Sequence, residues 1–390
     1  MLEATALLYY IELNGIKVFD SASVDTSILS FIKTTPDSKH TFDFAHPKDY
    51  DTKANAPLQE YITPQSLLQS SLTKESFIFQ DSTNAALKAK IEAIGTPLKE
   101  WDISIYRGIL TGYNEAFIID STKRDEILRN CGNENERQRT SELIKPILRG
   151  RDIKRYSYEW AGLWIINTHN GYKDSNNNKI PPIDIADYPA LKAHLDTHWD
   201  KIAKRTDKGE TPYNLRNCAY LEEFEKEKIV YQTLARTGNA FQFDNSSYFV
   251  PNSCYIITSN KVNLKYLLGL LNSKMMLYYL DNIFSKLDNT GWQWILSSVE
   301  KLPIPQITES NKPLCDEIIK CVDKILEIKA CHTEALAEVS KNTESKKDFS
   351  PFSKAQNDTS KLESKLDSLV YKLYNLTNDE IEIIKGNNER

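Results

Sequence analysis

Between Glu142 and Tyr156 the chain reads Glu-Leu-Ile-Lys-Pro-Ile-Leu-Arg-Gly-Arg-Asp-Ile-Lys-Arg-Tyr, so Lys145, Arg149, Arg151, Lys154 and Arg155 crowd together with Asp152 the lone acid among them. Arg149-Gly150-Arg151 reads as a turn presenting two guanidinium forks, a shape that suits phosphate oxygens and guanine edges. Upstream, Arg107, Thr111 and Asn114 sit in a loop between two apolar strand-like runs, Ile103 to Ile105 and Ala116 to Ile119. Gly108 and Gly112 give that loop backbone angles closed to other residues and let it lie against another backbone. Arg236 lies in a turn beyond a strand ending at Tyr231, and a late loop from Phe284 to Trp294 offers Lys286, Asn289, Thr290, Trp292, Gln293 and Trp294 around Gly291. Cations that neutralise phosphates, beside amides and hydroxyls that meet base edges, are the equipment of nucleic-acid recognition. Trp292 and Trp294 fit either base stacking or a core.

Other groups that invite a chemical reading do not complete a site. His194 and His198 share a helical face at a spacing that suits zinc, yet no third ligand stands nearby, and a surface pair is expected. Glu225-Lys226-Glu227-Lys228 contains Glu-x-Lys, but no Asp precedes it in a Pro-Asp setting, so a solvated charge run is expected. The Pro-Pro pair, Pro181-Pro182, is preceded by Ile180 and followed by Ile183. It lacks the amide or carboxylate and the stacking aromatic that adenine-N6 transfer requires.

The elements that would position these residues alternate short strands with turns. Gly15 to Asp20 and Val24 to Ile32 read as two strands of an edge hairpin, with Ser27 to Ile32 apolar enough to be covered on both faces. Asn84 to Ile94 places Leu87, Ile91 and Ile94 on one helical stripe. Trp160 to Asn167 reads as a strand. Tyr188 to Arg205 reads as an amphipathic helix with Leu191, Leu195 and Ile202 on one side. From Asn311 the pattern turns helical, with Ile318, Val322 and Ile325 on the apolar face. A polar loop from Lys341 to Ser360 precedes a second helix ending near Leu376. Thr377 and Glu380 form the capping box of a last one.

A chain of 390 residues, 40% hydrophobic and 26% charged, is ordinary for a globular protein of two or three domains. Its net charge of -5 does not announce a nucleic-acid binder, so the cations must be gathered on one face. Six scattered cysteines without a Cys-x-x-Cys pair read as reduced thiols of a cytoplasmic protein. No signal peptide or membrane span is expected.

Several collinear islands resemble one family. They are Ile103 to Asp120 with Glu142 to Tyr156; Tyr220 to Tyr231; Tyr266-Leu267-Leu268-Gly269-Leu270-Leu271-Asn272-Ser273-Lys274 with Leu302-Pro303-Ile304-Pro305; and the ending Leu366 to Ile381. Together they resemble the TaqI-like specificity domain, the target recognition domain of type IIG restriction-modification enzymes and adenine-specific DNA methyltransferases. Val18-Phe19, Ala22, Val24 and Thr26 resemble the last strands of the methyltransferase domain of the same enzymes. The Asp-Pro-Ala-x-Gly-x-Gly and Asn-Pro-Pro-Tyr elements of that domain are missing from the sequence.

The resemblance implies an α+β fold in four parts. Residues 1–45 would be the remnant edge of a Rossmann-like methyltransferase sheet and 46–97 a linker with a helix. Residues 98–310 would be a β-rich target recognition domain, and 311–390 a C-terminal helical pair. It implies double-stranded DNA as partner. S-adenosylmethionine and magnesium would be needed only in family domains this chain lacks, with no cofactor or metal here. A separate methyltransferase or endonuclease polypeptide would then supply catalysis. The alternatives are an inactive truncated product and a protein-interaction scaffold.

Overall fold

The computed structural model describes residues 2–14, 16–19, 24, 26–47, 49–53, 56–72, 82–235, 238, 240–283, 292–341 and 350–388. The chain divides into one unit of Met1–Ile94 with Tyr278–Gln293 and another of Gly95–Leu277 with Trp294–Arg390. Helices and several small sheets make the fold α+β.

The first unit is built on a mixed sheet in the order β2-β1-β3-β4, with β1 Ala6–Glu12, β2 Ser27–Ile32, β3 Thr41–Ala45 and β4 Gln65–Leu68. β1 runs antiparallel to β2 and parallel to β3. A bulge between Leu7 and Tyr9 shifts the alternation, so Leu7 and Tyr10 face the same way. On that side Leu7, Phe42, Leu67 and Leu72 form a small core, with Tyr10, Leu29 and Phe44 against it. Two expectations are corrected. The first strand is Ala6–Glu12, whose run of aromatic and apolar residues is long enough to register with all of β2; Gly15 to Asp20 holds no strand among its described residues. β2 is not covered on both faces. It is the edge strand, and Ile28 and Ile32 are 46% and 52% exposed. Helix α1 (Ser82–Ile94) buries Leu87 and Ile91, as its periodicity predicts. It is tied to Tyr279, whose hydroxyl donates to Glu92 at 2.8 Å.

In the second unit the central element is a four-stranded antiparallel sheet. It comprises β5 (Ser104–Arg107), β13 (Lys228–Gln232), β14 (Phe241–Asp244) and β15 (Cys254–Thr258), in the order β14-β13-β15-β5. Between β5 and β13 the chain forms a three-stranded sheet of β6 (Ile118–Asp120), β7 (Ile144–Pro146) and β10 (Leu163–Ile166), with β10 central. It also forms the hairpins β8 (Ile153–Lys154) with β9 (Ser157–Tyr158) and β11 (Asn170–Lys173) with β12 (Lys179–Pro182). Helices α2 (Ser121–Arg129), α3 (Glu134–Leu143) and α4 (Pro189–Asp196) pack on this part. One core runs through both sheets, including Phe117, Ile147, Ile165, Leu191, Phe224, Val230 and Ile256. The amphipathic helix expected from Tyr188 to Arg205 breaks after Asp196 and resumes at Trp199–Ile202, with Leu191, Leu195 and Ile202 all buried.

Toward the C-terminus, α5 (Leu264–Leu271) packs against α6 (Lys312–Lys341), whose partner is α7 (Ser350–Leu373). α7 begins inside the stretch expected as loop. Before α8 (Asn378–Asn388) the capping box forms as read: Thr377 N–H donates to Glu380 Oε2 at 2.7 Å, and Glu380 N–H to Thr377 Oγ1 at 3.3 Å.

Candidate nucleic-acid interface

The antiparallel register brings several expected residues to one end of the four-stranded sheet. Tyr255 of β15 pairs with Arg107 on one side and with Tyr231 on the other; Cys254, one step nearer the end, pairs with Gln232. β5 stops there because Gly108 turns against the neighbouring segment. A Cβ at 108 would stand 2.1 Å from the Pro251 carbonyl oxygen, so only glycine permits the approach. Gly108 N–H then donates to Cys254 O at 2.9 Å and Ile109 N–H to Val250 O at 2.8 Å. The 149–151 turn docks on the same end, since a Cβ at Gly150 would meet Gln232 Oε1 at 3.0 Å and Cys254 Sγ at 3.6 Å. Arg107, Arg151, Gln232, Asn252 and Ser253 therefore share a rim.

The rim has fewer free cations than the sequence suggests, and the expectation of two guanidinium forks is overturned. Arg149 closes on its own turn. Its Nε and Nη2 donate to Asp152 at 2.9 and 2.8 Å, its N–H caps the same carboxylate, and Asp152 is 4% exposed. That hydrogen-bonded pairing holds the Arg149 guanidinium above its usual range. Arg155 is half-buried, lies over the Tyr156 ring and pairs with Glu363 of α7 at 3.4 Å. Lys154 is half-exposed, donates to the Arg151 carbonyl at 2.9 Å and stands 3.6 Å from Glu159. Lys145 is bound to Glu225 at 2.8 Å. Arg151 is exposed and makes no side-chain bond among the described residues. Arg107 is exposed too; its Nε donates to Asn252 O at 2.7 Å and leaves both terminal nitrogens open.

Thr111 is also reassigned. It is 3% exposed, its hydroxyl donates to Asn114 Oδ1 at 2.5 Å, and its carbonyl accepts from the buried Arg205. Its side chain belongs to the fold and reaches no open surface. Asn114 is exposed at the start of a one-turn helix, Asn114–Phe117, where a strand was expected. The runs on either side of this loop join different sheets. Arg236 and Lys286 lie outside the described residues, as do Asn289 and Thr290. Gln293 closes a two-residue strand, Trp292–Gln293. Trp294 is core, buried and edge-on to Phe241 at 4.9 Å.

Lys228 departs furthest from expectation. Instead of belonging to a solvated charge run, it is fully buried, 2.6 Å from Asp244 and 2.6 Å from the Phe224 carbonyl. Desolvation pulls its ammonium below the usual lysine range, opposed by Asp244. His194 is half-buried, shares a bond with the Ala116 carbonyl at 3.0 Å, and is shifted down by burial. Among the described residues no group of three or more His, Cys, Asp or Glu converges to hold a metal ion. No helix among them is long and apolar enough to cross a membrane. The reading of the sequence missed Gln232 and Asn252. The available signal was a polar amide at the last position of one strand and another two positions before the next.

Fold and rim define an α+β module that gathers guanidinium and amide groups at the end of one sheet. Residues 145–304 match the family model of the TaqI-like C-terminal specificity domain. The chain is 21% identical over 261 residues to the type II methyltransferase M.PaeR7I of Pseudomonas aeruginosa, covering 66% of this chain and 42% of that protein. It is 22% identical over 215 residues to the type II methyltransferase M.BstVI of Geobacillus stearothermophilus, covering 54% and 35%. The matches thus span about two-fifths or less of those relatives' length. The type IIL restriction-modification enzyme MmeI, solved in complex with DNA, has a similar fold. It superposes with a TM-score of 0.55 over 99% of this chain and 46% of that one, at 13% identity.

Proposed function

We propose that this chain is the DNA-recognition part of a restriction-modification enzyme of the adenine-methylating kind, working in the cytoplasm on double-stranded DNA. The observation that carries this reading is the specificity domain at residues 145–304. The rim with Arg107 and Arg151 supports it, because open guanidinium groups set together on a rigid sheet end can follow a phosphate backbone despite a net charge of -5. Recognition here is binding without bond making. Cations fix the register, and polar side chains meet base edges. Methyl transfer from S-adenosylmethionine, and any magnesium-dependent cleavage, would belong to family domains outside these residues.

A salt series of duplex binding tests this. With roughly two phosphates neutralised by these arginines, log affinity should fall against log salt with a slope near -1.8, about -0.9 per phosphate. Absence of binding to any duplex at low salt would refute the reading and favour a protein-interaction scaffold.

The first unit favours a separate catalytic partner. Tyr9, Ile11, Ile28 and Ile32 share the outer side of its sheet, and Tyr9, Ile28 and Ile32 are about half exposed. An apolar face of this kind marks an association surface. A methyltransferase polypeptide is the occupant we assign to it.

A further inference from the structure

Neither Gln232 nor Asn252 spends its side chain on the fold. Neither side chain makes a hydrogen bond among the described residues, both residues are partly exposed, and none of their polar atoms is a buried orphan. This contrasts with the neighbouring polar groups: Arg149 is closed on Asp152, Thr111 on Asn114, and Lys145 on Glu225. Both amides also stand on fixed supports. Gln232 lies against Gly150, and Thr233 N–H bonds Ser253 O at 2.8 Å, which pins the end of β13 to β15. Asn252 is held through its own backbone, its N–H donating to Ile109 O at 2.9 Å and its carbonyl accepting from Arg107.

We propose that Gln232 and Asn252 are the base-reading pair of the rim, each taking an adenine in the major groove, with Arg107 and Arg151 on the flanking phosphates. The proposal rests on the DNA-recognition reading and sharpens it. A carboxamide carries a donor and an acceptor side by side, which matches the adenine N7 acceptor and N6 donor and none of the other three bases' major-groove patterns. Spacing fits as well. Gln232 and Arg107 flank β15 on either side, two interstrand steps or roughly 10 Å apart. That is about three base-pair rises of ~3.4 Å. A phosphate contact and a base contact on one short site are thereby compatible.

The test is selection from a randomised duplex pool by the full chain and by the variants Gln232→Glu and Asn252→Asp. The wild type should fix adenine at two or more positions. Each carboxylate variant, which accepts but cannot donate, should lose roughly tenfold or more of the preference at one of them and move it toward cytosine, while low-salt affinity for unselected duplex changes little. If an isosteric variant does not fold by thermal melting, Gln232→Met and Asn252→Leu replace it and should lose the adenine preference without acquiring cytosine. Unchanged selection by folded variants overturns the assignment, as does a wild type that binds duplex with no base preference. A wild type that binds no duplex at all overturns instead the recognition reading on which the assignment rests.

Discussion

Arg149 and Arg151 stand two positions apart in one turn, and only their partners separate them. Arg149→Ala strips the buried Asp152 carboxylate of two charged hydrogen bonds. Stability should fall by about 1.5–3 kcal/mol in urea unfolding. Arg151→Ala removes an exposed side chain with no partner among the described residues, so the unfolding midpoint should barely move, within about 0.5 kcal/mol. The salt slope of DNA binding should shrink by about 1. Equal effects of the two substitutions on stability would contradict this division of labour. Lys228→Met should be costlier still, about 3–5 kcal/mol, since it abandons the buried Asp244 as an uncompensated charge. An unfolding midpoint unchanged in Lys228→Met would show that Asp244 does not need its partner. The cations themselves were plain in the sequence. Their pairing was half visible: Asp152, the lone acid of its stretch and three residues from Arg149, was the sign that one fork would be occupied. Lys228 gave no such sign, because its partner is set by the β13–β14 register, which matches Lys228 to Asp244 across a turn that the charge pattern does not measure.

At the scale of elements, the strands and helices that bury a stripe were legible from periodicity, as α1 and the apolar face of α6 illustrate. Which strands would pair was not. The runs around Gly108 and Gly112 look like neighbours, yet close approach of Gly108 to Pro251 sends β5 to β15 while Ile118–Asp120 goes to β10. Helix α7 carries a pH prediction of its own. Its Asp367 is buried and accepts the Lys274 N–H at 2.9 Å. Desolvation pushes its carboxyl above the ordinary 3.8 despite that bond and the nearby Arg155 and Lys274. The folded state thus holds a proton that the unfolded state has released, so this group's contribution makes stability fall as pH rises from about 4 through the raised value. Asp367→Asn keeps the acceptor and abolishes the charge. It should flatten the stability profile above pH 4 and leave the neutral-pH protein at least as stable, with a gain of about 1.4 kcal/mol for every tenfold by which folding raises the carboxyl's proton affinity. A variant whose urea midpoint keeps the wild-type pH slope across that window would place the titration elsewhere.

Across the whole molecule, a net charge of -5 and a cationic rim are compatible only because the rim is small and local, and composition averages such a patch away. The apolar outer face of the first unit was hidden for a different reason. β2 looks like an interior strand by hydrophobicity, and sequence does not show whether a strand's outer face is covered. The expectation is therefore set by association. Co-expressed with a methyltransferase polypeptide that carries an Asn-Pro-Pro-Tyr element, the chain should co-purify, and the complex should persist at high salt, since apolar contact is not screened as ion pairs are. Ile28→Lys together with Ile32→Lys puts two ammonium groups on the outer side of an edge strand, where neither isoleucine contributes to the small core behind it. Folding, checked by thermal melting, should survive, co-purification should be lost, and the salt-dependent affinity for duplex should stay within about twofold, because the substitutions lie outside the unit that carries the rim. Retention of the partner by the doubly charged variant would mean that this face is not the interface. Loss of duplex binding with folding intact would mean that the rim does not act alone.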